Sequence, residues 1–257
     1  MCEECGCAET FEIDADTKEH GRHHHEKQHH DHEDDHTKHD HGSVVSINAS
    51  ALKKNDEFAL RNRQFFSRNQ ILAINLISSP GSGKTTLLEE MAKRLQKKMA
   101  VIVGDIQTRR DADRIIGSGS SAYQIETGGA CHLDAHCVEH ALEHLNMKDV
   151  RICVIENVGN LVCPAAYDLG EAMKIAILST PEGDDKVLKY PSIFSRISVL
   201  LINKMDIAQY VDFDPAKVSR ECRSLNVHCD IFKIAAKTGD GIDAFCEYLL
   251  EKRKNLQ

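Results

Sequence analysis

The feature that most limits how this chain can fold is a glycine-rich loop placed directly after an apolar run. Residues 71–77 are apolar apart from Asn75, which predicts a buried strand. The loop that follows reads Ser78-Ser79-Pro80-Gly81-Ser82-Gly83-Lys84-Thr85-Thr86, and the residues after it, to about 97, predict a helix. A strand–loop–helix unit of this kind aims backbone N–H groups and a helix N-terminus at one point, where phosphate oxygens bind.

This loop therefore predicts a phosphate-binding site rather than a plain turn with a surface lysine. Lys84 is expected to reach the β- and γ-phosphates, and the hydroxyl of Thr85 to ligate Mg²⁺. Ser78 stands where the usual pattern G-x-x-x-x-G-K-[ST] has its first glycine. The expected nucleotide-binding residues of the loop are Gly81, Ser82, Gly83, Lys84, Thr85 and Thr86.

Apolar runs and helical patterns alternate along the rest of the chain. Strands are predicted at 71–77, 99–103, 121–125, 150–155, 173–179, 197–202 and 230–234. Helices are predicted at 52–68, 84–97, 132–145, 215–224 and 241–251, the first with Phe58, Phe65 and Phe66 facing the core. The alternation indicates an α/β protein, a three-layer P-loop NTPase fold with a mostly parallel sheet covered on both faces. This domain, with its N-terminal helix, is expected to span residues 46–257.

A second motif predicts that the base of the nucleotide is guanine. Asn203-Lys204-Met205-Asp206 directly follows a predicted strand, about 120 residues after the phosphate loop. The carboxylate of Asp206 can accept hydrogen bonds from both the N1–H and the exocyclic amine of guanine, whereas adenine offers neither donor there. Ala236 and Lys237 follow the last predicted strand and fit a companion loop whose backbone contacts the guanine oxygen.

Two acids end predicted strands at the same edge of the sheet. Asp105 and Glu156 each close an apolar run, and ligands bind at the carboxyl ends of parallel strands. Both are expected to hold Mg²⁺ or its waters, although either could be a loop acid that faces solvent. The expected catalytic residues for hydrolysis of GTP by in-line attack of water are Lys84, Thr85, Asp105 and Glu156. The sequence after the strand, Glu156-Asn157-Val158-Gly159, lacks the Asp-x-x-Gly of Ras-type GTPases.

Residues 1–45 have a different composition and predict a disordered tail. Ten of the fifteen histidines lie between His20 and His41, among Glu, Asp and Lys, and such a segment cannot bury enough apolar surface to order itself. The interruptions by acids argue against an expression tag. The net charge of −8 argues against a nucleic-acid partner. No apolar run approaches the about 20 residues of a membrane span, and the start has no secretory signal, so we expect a cytoplasmic protein.

Cysteines form two candidate metal sites. Cys2, Cys5 and Cys7 lie beside the chain's own amine, and these thiolates suit Ni(II) or Zn(II). Cys131 and His132 open a predicted helix, and Cys163 lies on a later glycine-flanked loop, so the three could be ligands or ordinary buried residues. A histidine recurs every four residues from His132, at His136, His140 and His144. This pattern predicts either an exposed polar face of the helix or a ladder of ligands. The core is expected to hold the remaining cysteines, Cys137, Cys153, Cys222, Cys229 and Cys246.

Over essentially its whole length the chain resembles the HypB family, the GTPases that incorporate nickel into hydrogenases. The matching stretches are residues 2–7, the histidine-rich segment, 78–86, 104–108, 131–135, 156–164 and 203–206. The resemblance implies delivery of nickel to the [NiFe]-hydrogenase large subunit precursor, a GTP-dependent homodimer, and HypA, a small zinc-containing partner. It also implies that Cys131, His132 and Cys163 bind nickel or zinc near the dimer interface. Two rival interpretations are a nickel accessory GTPase for urease and a nickel-storage protein with weak GTPase activity.

Overall fold

The structure of the protein is a computed structural model that describes residues 41–105 and 110–256, with the backbone alone for residues 41–51 and Asp105. The predicted metal site at Cys2, Cys5 and Cys7 and the predicted disorder of residues 1–40 lie outside the described residues. The first helix begins at His41, five residues before the predicted domain boundary. Among the described residues, no helix is both long and apolar enough to span a membrane.

Seven strands and eight helices alternate along the described chain. The strands are β1 Leu72–Ser78, β2 Met99–Asp105, β3 Ser121–Glu126, β4 Ile152–Glu156, β5 Met173–Ser179, β6 Val199–Asn203 and β7 Asp230–Lys233. The helices are α1 His41–Arg68, α2 Lys84–Leu95, α3 Arg110–Gly117, α4 Ala135–His144, α5 Lys186–Lys189, α6 Pro191–Phe194, α7 Pro215–Leu225 and α8 Ile242–Lys254. Short 3₁₀ turns lie at Gln96–Lys98, Cys163–Ala165, Thr180–Glu182 and Met205–Tyr210.

The strands form one parallel sheet in the order β3-β2-β4-β1-β5-β6-β7. Consequently β1 and the phosphate loop lie in the middle of the sheet, and β4 lies between β1 and β2. Alternate residues of β1 face opposite layers, since Leu72, Ile74 and Leu76 pack into the core under α2 and α8, and Ala73 packs towards α4. A third cluster surrounds Ile77 and Phe194. The predicted three-layer architecture is confirmed.

All seven predicted strands are confirmed to within two residues at either end. The predicted helix at 132–145 starts too early, because Asp134 caps α4 by accepting a hydrogen bond from Cys137 N and the helix begins at Ala135. Cys131 and His132 therefore lie in the loop before the helix. Of the three phenylalanines expected in the core from α1, Phe66 is buried, and Phe58 and Phe65 are half-buried. The sequence reasoning missed α3, α5 and α6.

Candidate nucleotide and metal sites

The phosphate loop joins the end of β1 to the start of α2. Gly81 and Gly83 have φ values of 75° and 96°, a left-handed backbone that glycine adopts without steric cost. Ser78, at the end of β1, is fully buried. Its hydroxyl accepts hydrogen bonds from Lys84 Nζ at 2.8 Å and from Ser82 Oγ at 2.6 Å. The serine that replaces the usual first glycine therefore holds the loop and orients the lysine.

A cavity of about 400 Å³ opens beside this loop. One wall is the phosphate loop, and the other is formed by Glu156–Gly159 together with the start of α3. Glu156 ends β4 and is 3% exposed. Asp105 ends β2 opposite Glu126 of β3. Both expected acids thus end strands at the edge that carries the phosphate loop.

Asp111 is a residue of this cavity that the sequence reasoning missed. It lies in the first turn of α3, and Thr85 Oγ1 donates to its Oδ2 at 3.0 Å. Arg114, one turn later, is paired with Glu89 of α2. The hydroxyl of Thr85 and the carboxylates of Asp111 and Glu156 are oxygen donors around one cavity, the kind of donor set that Mg²⁺ prefers. The signal that could have found Asp111 is the acid-rich start of the strongly amphipathic α3.

Asn203 connects three loops through hydrogen bonds of its side-chain amide. It is 1% exposed, donates from Nδ2 to Ser82 O at 2.8 Å and accepts at Oδ1 from Ala236 N at 3.0 Å. A side-chain carbon added at Gly83 would lie 2.6 Å from Asn203 Nδ2, so this close approach requires glycine. The Asn-Lys-x-Asp loop, the phosphate loop and the loop after β7 are consequently locked together.

The remaining residues of the expected guanine site follow the same edge of the sheet. Lys204 has a left-handed backbone with φ of 62° and donates from Nζ to Gly81 O at 2.7 Å. Asp206 lies half-buried in the 3₁₀ turn that follows. Ala236 is buried, and Lys237 beside it is exposed. The loops of the expected phosphate and guanine sites thus form one continuous surface at the carboxyl ends of β1, β6 and β7.

The three expected metal ligands of the domain meet in space although 30 residues separate Cys163 from His132. The sulfurs of Cys131 and Cys163 and a ring nitrogen of His132 all lie within 4.8 Å of one another. Cys131 Sγ is 3.4 Å from His132 Nδ1. Cys131 is exposed and the other two are half-buried. This group, called here the Cys131 cluster, has the soft donors that suit nickel or zinc.

The electrostatics of the Cys131 cluster depend on its burial and on contact between its members. A hydrogen bond with Cys163, together with desolvation, raises the pKa of the Cys131 thiol. Desolvation lowers the pKa of His132, which favours the neutral imidazole that a metal requires. The ring of Tyr167 lies 3.9 Å from that of His132 between centroids and covers it.

A short polar path connects the nucleotide cavity with the Cys131 cluster. Asn157, which follows Glu156, is 1% exposed and accepts at Oδ1 from the backbone N–H of Leu133 at 3.1 Å. Its Nδ2 donates to Asn75 Oδ1 at 3.2 Å, which explains the polar residue in β1. Asn160 Nδ2 donates to Cys131 O at 3.4 Å. The loop after β4 therefore contacts both halves of the site.

The other cysteines and histidines occupy different surroundings. Cys153, Cys222, Cys229 and Cys246 are buried, as predicted, whereas Cys137 is half-buried. His136, His140 and His144 share a face of α4, and His132 precedes the helix. The His136 ring contacts Phe58 of α1 at 4.6 Å between centroids. The four histidines thus do not form one ladder.

This fold and site define a P-loop nucleotide-binding protein with a thiolate–imidazole cluster beside its nucleotide cavity. The profile of the "CobW/HypB/UreG, nucleotide-binding domain" family matches residues 72–233. The hydrogenase maturation factor HypB of Escherichia coli K12 is 48% identical over 202 residues, which cover 78% of this chain and 70% of that protein. The chain belongs to this family, and within it to the HypB hydrogenase maturation factors.

Solved structures agree with this assignment. HypB from Helicobacter pylori in complex with nickel is 42% identical with a TM-score of 0.74, covering 79% of this chain and 96% of that one. HypB from Archaeoglobus fulgidus is 35% identical with a TM-score of 0.72, covering 80% of this chain and all of that one. A signal recognition particle protein from Aeropyrum pernix, at 16% identity and a TM-score of 0.51, shares the fold alone.

Proposed function

We propose that the protein is a GTP-hydrolysing metallochaperone that delivers nickel to the [NiFe]-hydrogenase large subunit precursor. The observation that carries this proposal is the position of the Cys131 cluster, whose third ligand lies on the loop that also forms a wall of the nucleotide cavity. A protein that stored metal would need no nucleotide cavity, and a simple GTPase would need no soft ligands beside it.

The nucleotide half of the proposal assigns a role to each residue of the cavity. Lys84 binds the β- and γ-phosphates, and Asp206 selects guanine. Thr85, Asp105 and Glu156 hold Mg²⁺ or its waters, joined by Asp111, which contacts Thr85. The bound Mg²⁺ would neutralise charge on the phosphates. The chain's own part in the reaction is to orient the γ-phosphate against an in-line water and to hold Lys84 in place through Ser78.

The metal half treats nickel as cargo of the Cys131 cluster. Two sulfurs and one imidazole give three ligands, which leaves an open position for a fourth ligand from a second subunit or a partner. An open position suits transfer, because an incoming ligand can attack before the resident ones leave. The nickel complex of the Helicobacter relative supports nickel as the ion, and zinc is the alternative occupant that the same ligands accept. The tail cysteines Cys2, Cys5 and Cys7 would form a separate site for nickel or zinc.

Coupling between GTP and metal follows from the loop after β4. Asn157 ties the end of β4 to the segment that carries His132, and Gly159 packs so closely on Pro80 of the phosphate loop that an added side-chain carbon would lie 3.0 Å from it. A γ-phosphate that moves this loop would therefore move Cys163. Thermodynamic linkage requires the metal to change GTP affinity by the same factor. We propose that GTP also closes a homodimer with the Cys131 cluster near its interface, and that HypA is a partner.

A role in urease maturation is a second candidate. A relative from Helicobacter pylori, 42% identical over 205 residues that cover 85% of its length, bears the name "Hydrogenase/urease maturation factor HypB". A nickel chaperone of this design could supply either enzyme, because the cargo and the nucleotide are the same.

The test is nickel binding by the full chain in buffered free nickel, with GDP or with a non-hydrolysable GTP analogue. In the wild type, part of the bound nickel should depend on which nucleotide is present. Cys163→Ser should abolish this nucleotide-dependent binding, while the nickel bound by the tail remains. The matched control is Cys246→Ser, which replaces a buried thiol of α8 and should change neither.

Nickel transfer to the hydrogenase precursor, measured by mass spectrometry of the precursor, should in turn require both Cys163 and GTP. Nickel affinity that is equal in the two nucleotide states would reduce the Cys131 cluster to a static site. Transfer that proceeds unchanged in Cys163→Ser would exclude it as the donor of nickel.

A further inference from the structure

Two histidines outside the Cys131 cluster face each other on α4. His140 and His144 are one helical turn apart, so their side chains lie on one face. Their Nε2 atoms are 3.3 Å apart, and the ring planes meet at 69°. His140 is half-buried and His144 is exposed, so water and ions can reach both.

A tyrosine on β3 holds both rings in place. The ring of Tyr123 is stacked on that of His144, with an interplanar angle of 10° and a centroid distance of 5.1 Å. It meets the ring of His140 edge-on at 6.2 Å. Because the rings are already ordered by these contacts, a ligand that bridges them loses little side-chain entropy.

The separation of the two nitrogens is that of a chelate. Zinc binds imidazole nitrogen at about 2.0–2.1 Å in tetrahedral geometry, which sets two such nitrogens about 3.3 Å apart. We propose that His140 and His144 form a second binding site for a divalent transition-metal ion, zinc by geometry, with water completing the coordination. The ion would take the place of the hydrogen that the two Nε2 atoms now share, and the imidazole that carries it would change to the Nδ1–H tautomer.

This His140–His144 site shares no residue with the Cys131 cluster. His132 of the Cys131 cluster packs its ring on Tyr167, in the loop after β4, whereas the pair packs on Tyr123 of β3. The two sites therefore touch different elements of the fold, and each can bind metal without the other.

The test measures the reactivity of individual histidines in the full chain. Diethyl pyrocarbonate modifies accessible imidazoles, and fragmentation of the α4 peptide by mass spectrometry separates His140 from His144. Free zinc is fixed by a metal buffer, so that uptake by the tail does not alter it. Both histidines should lose reactivity over the same range of free zinc, and the exposed His228 should not respond.

Variants decide whether the pair acts as a chelate. His144→Ala should raise the zinc concentration that protects His140 by about tenfold or more, since one imidazole replaces two linked ones. The matched control, His136→Ala, and the variant Cys131→Ala should leave it unchanged. Absence of zinc protection, or protection of His140 that survives His144→Ala at the same zinc concentration, would overturn the site. Protection lost in Cys131→Ala would assign both histidines to the Cys131 cluster and equally overturn it.

Discussion

Replacement of Asn157 by alanine is expected to separate the nucleotide cavity from the Cys131 cluster. Asn157 is 1% exposed and makes three hydrogen bonds, with Leu133 N, Val158 N and Asn75 Oδ1. The alanine removes all three. The N–H groups of Leu133 and Val158 and the Oδ1 atom of Asn75, all buried, lose this partner.

The size of the effect on stability follows from these contacts. A buried polar group left unpaired costs about 1–3 kcal/mol, so three of them, taken at the lower end of that range, should lower the free energy of unfolding by about 3 kcal/mol. For a domain of this length, that loss corresponds to a decrease in Tm of about 6–12 °C. Thermal unfolding followed by circular dichroism measures it.

The functional consequence is larger than the loss of stability alone would produce. A typical coupling between two sites changes affinity by about 5–150-fold, and in Asn157→Ala we expect the ratio of metal affinities with GTP analogue and with GDP to fall towards one. The matched control is Asn226→Ala at the end of α7, which removes two side-chain hydrogen bonds, to Ile197 O and from His228 N. It should lower Tm and keep the ratio. If folded Asn157→Ala keeps the wild-type ratio of metal affinities with GTP analogue and with GDP, the proposed coupling through Asn157 is refuted.

Three further predictions concern the cavity and the buried thiols. Lys84→Ala should lower GTP turnover by at least about 100-fold, measured as phosphate release, because the transferred phosphoryl loses its cation. Asp206→Asn should let xanthosine triphosphate compete with GTP, measured by displacement of a fluorescent nucleotide, whereas unchanged selectivity would remove Asp206 from the guanine site. Burial raises the pKa values of Cys153 and Cys246 to about 12, so iodoacetamide should spare both in the native protein at pH 8 and label them after unfolding. Since a thiol in the unfolded chain ionises near pH 8.5, these two residues should lower stability as pH rises from about 8.5 towards 12.

Local pattern was sufficient to predict the strands and the phosphate loop. The five inner strands are short and mostly apolar, and a sheet buried on both faces leaves no other place for such runs, whereas the edge strands β3 and β7 are more polar and more exposed. The start of α4 was misplaced because the apolar pattern continues upstream through Leu133, while the cap at Asp134 decides where the helix begins. Helices α5 and α6 have four residues each, too few for a helical period to show.

Long-range contacts were the part of the site that sequence reasoning could not supply. The sheet order decides which loops lie close together. The hydrogen bond of Thr85 with Asp111 and that of Asn203 with Ser82 both depend on this order. Asn203 belongs to the predicted guanine motif, and nothing in the local sequence shows that its side-chain amide is hydrogen-bonded to Ser82 and Ala236. The residue types alone left Cys131, His132 and Cys163 open as ligands or as ordinary buried residues, and the resemblance to the HypB family implied the Cys131 cluster. The 30 residues between His132 and Cys163 give no sign that the two are close in space.

The order of the strands explains why a metal site and a nucleotide site can influence each other in this fold. In the sheet, β4 is inserted between β1 and β2, so the loop after β4 leaves the sheet between the phosphate loop and the strands that lead to Cys131. If β4 were an edge strand, the loop after it would have solvent on one side and could contact the loop of only one neighbouring strand. Because all the strands are parallel, every one of these loops emerges at the same edge. A displacement of about 1 Å at Glu156 must therefore be absorbed by the phosphate loop, by Cys163 or by both, since packed interiors do not deform continuously.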